Sequence, residues 1–309
     1  MKTILVLGGY GFIGSNLLNY IDRFKQNYYT VIVFDKQYTH PFGLKFNCVS
    51  KVYCGDFGNR QDVDIVFEEN QIDIVFHFLN TTVPATSADI RFDIESNLIA
   101  TIGLLESMQY HNVKNIVFIS SGGAIYGDSR GIKHLENDNT FPLSSYGIVK
   151  LAIEKYIWMF SKRYNLSYLI LRLSNPYGPF HYSSKQGLIN IALRKSIQKE
   201  ILPIWGNGSN KKDYIFVEDF IDVLIKLIEK GIHNEIINIG SGTTHSINEI
   251  LEKIKSIEPS FKWNYINEKE FDNMTFELSI KKLRSFLPNY KFTLLDDGIK
   301  KAIAWLTIN

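Results

Sequence analysis

The chain has 309 residues, 45% of them apolar and 21% charged, with a formal net charge of +2. That length suits two modest domains or one large one, with a full core. Lys and Arg number 34 against 32 Asp and Glu, so nothing favours nucleic acid or an anionic membrane as partner, and no apolar run approaches membrane-spanning length.

In chain order, Ile4 to Leu7 is a short apolar run of strand type. Glycines follow at 8, 9, 11 and 14, and Ser15-Asn16-Leu17-Leu18 continues into a helical pattern. Gly9-x-Gly11-x-x-Gly14 fits the dinucleotide fingerprint and Gly8-x-x-Gly11-x-x-Gly14 its close variant. One glycine makes the tight turn, one lets a pyrophosphate approach the backbone, and one lets helix pack on strand. The helix start, with Phe12 and Ile13, then offers free N–H groups and a positive dipole end to phosphates. Thr30-Val31-Ile32-Val33-Phe34-Asp35 reads as the second strand and ends in an acid. A carboxylate there binds a ribose 2′-hydroxyl and repels a 2′-phosphate, which favours NAD over NADP; the adjacent Lys36 weakens that preference.

Further strands are expected over 49–54, 72–79, 113–119 and 167–173, with helices over 12–24, 60–69, 88–111 and 145–164. Continuous apolar strands alternating with helices predict a doubly wound parallel α/β sheet of Rossmann type. The N-terminal domain is expected over 1–173. A smaller C-terminal α/β lobe is expected over 174–309, with a segment near 213–240 returning to the main sheet. Helices are expected there over 186–200, 217–230, 246–256, 279–285 and 294–306, and a strand over 235–239. Lys281-Lys282 and Lys300-Lys301 read as solvated faces.

Cys48 and Cys54 flank one expected strand and, six positions apart, should share a face as a buried reduced pair. That predicts a reducing compartment and no metal site. The N-terminus reads as neither signal peptide nor membrane anchor, so a cytoplasmic location is expected.

Tyr146 and Lys150 stand four residues apart at the start of an expected helix, on one helical face. A Lys ammonium beside a phenol is expected to lower the phenol pKa and so make a general base. Taken alone, Tyr-x-x-x-Lys is an ordinary solvated helix face.

In this order the motifs resemble the extended short-chain dehydrogenase/reductase family, and most of all its NAD-dependent sugar-nucleotide epimerases and dehydratases. The likeness runs through the glycine loop, Asp35, Gly55-Asp56-Phe57, His77-Phe78-Leu79, Asn97, Ser120-Ser121-Gly122-Gly123-Ala124-Ile125-Tyr126-Gly127 and Tyr146-x-x-x-Lys150. It continues through Asn175-Pro176-Tyr177-Gly178-Pro179, Lys212-Asp213-Tyr214 and Asn238-Ile239-Gly240. The resemblance implies that Asp56 and Phe57 meet the adenine and that Phe78, Leu79, Asn97 and Ser120 lie on the cofactor side. It also implies that Asn175 and Leu188 contact the sugar-nucleotide and that Lys212 and Lys269 replace two phosphate-binding arginines. Phe276 falls where such enzymes limit the space at the sugar C2 substituent. The residues have plainer readings too: Asp56 and Asn175-Pro176 as turn signals, the two lysines as ordinary surface residues, Asp219 as a helix-start residue.

The departures matter. Where the family carries a Ser or Thr four positions before the Tyr of its V-Y-G element, this chain has Gly122; Ser121, or else Ser120, must supply the hydroxyl. Dehydratases carry acids at the next two positions, here Gly123 and Ala124. The resemblance therefore implies a UDP-hexose 4-epimerase with Tyr146, Lys150 and Ser121 catalytic and NAD as cofactor. It further implies a homodimer built on helices 88–111 and 145–164 and a place in polysaccharide-precursor supply. A sugar-nucleotide reductase and a non-catalytic NAD-binding member are the alternatives.

Overall fold

The computed structural model describes residues 1–82, 89–129, 131–267 and 276–308. The strands are β1 (Lys2–Leu7), β2 (Tyr29–Asp35), β3 (Val49–Cys54), β4 (Ile74–His77), β5 (Asn115–Ser121), β6 (Ser167–Leu173), β7 (Asn175–Tyr177), β8 (Ile201–Trp205), β9 (Lys211–Phe216), β10 (Glu235–Ile239), β11 (Thr244–Ser246) and β12 (Lys262–Ile266). The helices are α1 (Phe12–Phe24), α2 (Arg60–Glu69), α3 (Ile90–Asp93), α4 (Ala100–Tyr110), α5 (Ser145–Tyr164), α6 (Leu188–Ile197), α7 (Val217–Glu229), α8 (Ile247–Ile257), α9 (Lys281–Phe286) and α10 (Leu295–Ile308).

Seven strands form one parallel sheet in the order β3-β2-β1-β4-β5-β6-β10. The order reverses between β1 and β4, which opens a crevice at their carboxyl ends. Ile4 to Leu7 are completely buried because helices cover both faces. Leu17, Leu18 and Ile21 of α1 and Phe220 and Leu224 of α7 form one layer of core. Val63 and Val66 of α2, Leu104 of α4 and Ile153 and Ile157 of α5 form the other. A third core, around Tyr177, Leu193, Phe216, Ile250 and Ile299, belongs to the second half of the chain, with its own small sheets β11-β9-β7 and β12-β8. From that half β10 comes back and pairs in parallel with β6, Glu235 to Ile239 against Leu169 to Leu173.

Three expectations change. The helix expected over 88–111 is interrupted: α3 leads into a π-helical turn, Ile94–Ile99, before α4 begins. Asn97 in that turn accepts from the Thr81 amide (2.9 Å) and donates to the Thr81 hydroxyl (2.7 Å), bonds that periodicity cannot foresee. The buried cysteine pair is not formed: Cys48 is buried and Cys54 exposed. Register slips at Ser50 between Val49 and Lys51, so the alternation behind the same-face argument breaks, and Cys54 ends an edge strand. Lys282 is not freely solvated either, since its ammonium bonds the Ile236 carbonyl (2.7 Å) and pairs with Glu235 (2.6 Å).

Candidate active site

The crevice at the sheet reversal is a groove of about 540 Å³ whose walls include Gly11, Ile13, Asp35, Phe78 and Leu79. The glycines are sterically required. Gly8 has φ +78°, and a Cβ there would stand 3.1 Å from the Leu79 backbone; one at Gly14 would stand 2.3 Å from the Gly8 carbonyl oxygen. Gly11 caps α1 without a side-chain bond, and no acid occupies the first turn, so this helix start is shaped for an anion. Asp35 closes the end of β2: its carboxylate accepts from the amides of Tyr10 (2.9 Å) and Lys36 (2.8 Å). Burial raises its pKa, and those amides oppose the rise. The donors, the glycine cradle and the acid fit a dinucleotide.

Asp56 is exposed and accepts from the Gly58 amide (2.9 Å) in a turn before α2, while Phe57 is buried against the His77 ring. Phe78 and Leu79 follow β4 into the groove, and Asn97 pins the Thr81 end of the same loop.

Ser120 and Ser121 are the last two residues of β5, in register with Arg172 and Leu173 of β6. Ser120 is buried with its hydroxyl oxygen unbonded. Ser121 reaches across to α5, where its hydroxyl bonds the Tyr146 phenol. Helix α5 is capped by Ser144, whose hydroxyl accepts from the Gly147 amide (3.2 Å). A Cβ at Gly147 would meet the Ala124 carbonyl oxygen at 2.3 Å, so the first turn of α5 seats directly on the strand-end loop and brings Tyr146 to Ser121. One turn on, buried Lys150 donates to the Ile119 carbonyl (2.9 Å), with its ammonium 5.8 Å from the centre of the Tyr146 ring.

The expected lowering of the phenol pKa is not found. Burial pushes Tyr146 up to about 12, opposed only by the Ser121 hydroxyl bond. Lys150 points to a β5 carbonyl, and burial pulls its own pKa down to about 7, opposed by the Glu154 charge. Desolvation of both groups outweighs their mutual attraction.

Gly122 is also explained. A Cβ there would meet a terminal methyl of Leu278 at 2.3 Å and the Arg172 carbonyl oxygen at 3.1 Å, so a Ser at this position would need the Leu278 side chain to shift, and the glycine leaves Ser121 as the hydroxyl beside Tyr146. Gly123, by contrast, faces open space.

In the second half, Asn175 lies on β7 and donates to the Asp213 carbonyl (2.9 Å). Leu188 starts α6 behind Gly187. Lys212 on β9 forms a bridge with Phe276, so these two sequence-distant residues adjoin. Lys269 lies outside the described residues. Asp219 sits in the first turn of α7, as a helix-start residue should, and its carboxylate holds Thr293. Among the described residues no cluster of His, Cys, Asp and Glu could hold a metal, and no helix is long and apolar enough to cross a membrane. Sequence reading passed over Glu154 and Arg172. The signal was present: an arginine inside the apolar strand Leu169-Ile170-Leu171-Arg172-Leu173, and a glutamate one turn past Lys150.

Residues 4–240 match the model of the NAD dependent epimerase/dehydratase family. The chain belongs to that family. NAD, expected from Asp35 and the glycine loop, is the family's cofactor. The chain is 33% identical to the "Putative UDP-glucose 4-epimerase" of Methanocaldococcus jannaschii over 99% of both chains. It is 29% identical to the dTDP-4-dehydro-6-deoxyglucose reductase of Escherichia coli over 97% of this chain and 96% of that one. Its structure is similar to that of Thermotoga maritima UDP-glucose 4-epimerase with UDP-glucose, with a TM-score of 0.91 at 28% identity over 99% of both chains.

Proposed function

We propose that the protein interconverts UDP-hexoses epimeric at carbon 4, using NAD. The observation that carries this reading is the Ser121–Tyr146 contact with Lys150 one turn beyond, beside a position, Gly123, that offers space but no acid. With NAD bound, whose positive nicotinamide charge would favour the phenolate that burial alone disfavours, Tyr146 takes the proton of the sugar 4-hydroxyl and later returns it. Ser121 orients that hydroxyl and supports charge developing on its oxygen. Lys150, whose cation the Glu154 charge favours against burial, stabilises the phenolate and holds the cofactor ribose. When bound in the groove, NAD would supply the reversible hydride acceptor that carbon 4 needs. The glycine loop and the start of α1 take its pyrophosphate, Asp35 its ribose, Asp56 and Phe57 its adenine, and Phe78, Leu79, Asn97 and Ser120 its inner side. Lys212, Lys269, Asn175 and Leu188 hold the diphosphate sugar, and the bulky ring of Phe276 disfavours an N-acetyl group. A 4,6-dehydration, which loses water across carbons 5 and 6 of the 4-keto sugar, needs an added acid and base, and Gly123 and Ala124 provide none.

The test is NMR of UDP-glucose incubated with protein and NAD. UDP-galactose should appear with no net NADH, and Tyr146→Phe should cut the rate at least ~10²-fold while NAD binding survives. Steady NADH consumption with a 4-keto sugar would instead favour reductase chemistry, the reading that the E. coli relative supports. No epimer from folded, NAD-binding protein overturns the assignment. We place the enzyme in the cytoplasm, supplying polysaccharide precursors, as a homodimer packed through exposed Ile99 in the π-helical turn and Ile148 on α5; sedimentation at twice the chain mass checks the dimer.

A further inference from the structure

Arg172 is the one charge inside the apolar run of β6, and it is buried. Its Nε and Nη2 meet the two carboxylate oxygens of Glu154 at 3.1 and 2.7 Å, a bidentate pair with both side chains almost wholly buried. Its Nη1 donates to the Tyr126 hydroxyl (2.6 Å) and the Glu136 carbonyl (2.9 Å). Tyr126 donates onward to Asn238 of β10 (2.8 Å), and Asn238 donates to the His134 carbonyl (2.9 Å). A purely stabilising role would be met as well by apolar residues of the same volume, because burying two charges offsets most of their attraction.

The two ends of the pair instead enter the two elements that carry the reacting groups. Glu154 lies one turn beyond Lys150 on α5, and Arg172 is the register partner of Ser120. We infer that Glu154 and Arg172 are positioning residues that seat α5 against β5 so that Tyr146 meets Ser121 and Lys150 keeps its charge, and that Tyr126 and Asn238 tie this seat to the strand returning from the second half of the chain. The inference rests on the proposed epimerase chemistry only for its rate effects.

The titratable and charged groups facing Lys150 are Tyr146 and Glu154 from α5, His77 from β4 and, beyond Glu154, Arg172 from β6. His77 is held neutral by burial, with its pKa pulled down to about 3, so Glu154 is the group that favours the Lys150 cation. Removing its charge must therefore lower the Lys150 pKa. Activity that needs the cation would then be lost at lower pH than in the wild type.

The experiment uses the full chain with carbon-13-labelled lysine, and Lys150 is assigned through Lys150→Arg. Glu154→Gln should lower the Lys150 titration, and with it the alkaline limb of kcat, by about one pH unit. It should also reduce kcat by about tenfold or more. Arg172→Lys and Tyr126→Phe should leave the Lys150 titration near its wild-type position and lower kcat while NAD affinity holds. An NAD-induced thermal shift reports folding. Should Glu154→Gln not fold, Tyr126→Phe, which removes one hydroxyl, still decides: wild-type kcat in that variant overturns the proposal. So does an unmoved Lys150 titration in folded Glu154→Gln. If the wild type turns over no UDP-sugar, the epimerase reading fails while the lysine titration still judges the pair.

Discussion

Position 122 carries no hydroxyl, and a Cβ there would require a terminal methyl of Leu278, far along the chain, to shift; the hydroxyl beside Tyr146 is that of Ser121, one residue back. Ser121→Ala should therefore reduce kcat by ~10²–10³-fold, the usual cost of losing one donor to developing oxyanion charge. Ser120→Ala should cost much less, and adding Gly122→Ser to Ser121→Ala should fail to restore the rate. Steady-state rates for the three variants check this, and full rescue by Gly122→Ser would place the hydroxyl at 122. The Tyr146/Lys150 pair was legible because helix spacing is local. Its ionisation was not, because desolvation depends on Phe118, Ile119 and the rest of a buried surface that no motif encodes. The competing hydroxyls were visible in the sequence as a gap, and the nearness of Ser121 to Tyr146, with the Ser120 hydroxyl buried and unbonded, decides between them.

Among the elements, β2, β6, α2 and α5 fall within a residue of their expected bounds, whereas β4 and β5, read from continuous apolar runs, differ from theirs by two residues at each end. Two further departures are shaped by partners elsewhere. Thr81 draws Asn97 into a π turn, and the slip at Ser50 disrupts the pleat of β3. The slip has a simple chemical reading. Cys48 lies under α1, bonded to the Leu18 carbonyl with burial raising its thiol pKa, while Cys54 is exposed at the strand end. A thiol reagent should label one cysteine per native chain, Cys54, and both after unfolding, as mass spectrometry of the labelled peptides will tell. Rapid native labelling of Cys48 would contradict the fold at β3.

For the molecule as a whole, the sheet reversal and the groove follow from the strand order; the doubly wound parallel sheet was readable in the βαβα pattern, and the structure supplies the order. The place of Lys212 beside Phe276 was not readable, because it depends on a bridge between distant segments. The return of β10 to β6 matters most at this scale. A chain ending at Leu173 would expose β6, an almost wholly buried apolar strand, as a bare sheet edge. Such a fragment should aggregate where the full protein stays monodisperse in light scattering, since open apolar edges pair with one another. A well-behaved fragment would mean that β10 is dispensable.

That crossing strand also governs how new specificities can be grafted. The segments proposed to contact substrate lie on both sides of β10 in sequence, yet β10 itself is tied to the cofactor half through Tyr126 and Arg172. A single C-terminal cassette taken from a relative would bring a foreign strand into the host sheet. A workable chimera needs two seams, one between Leu173 and Glu235 and one after Ile239, with the native strand kept between them.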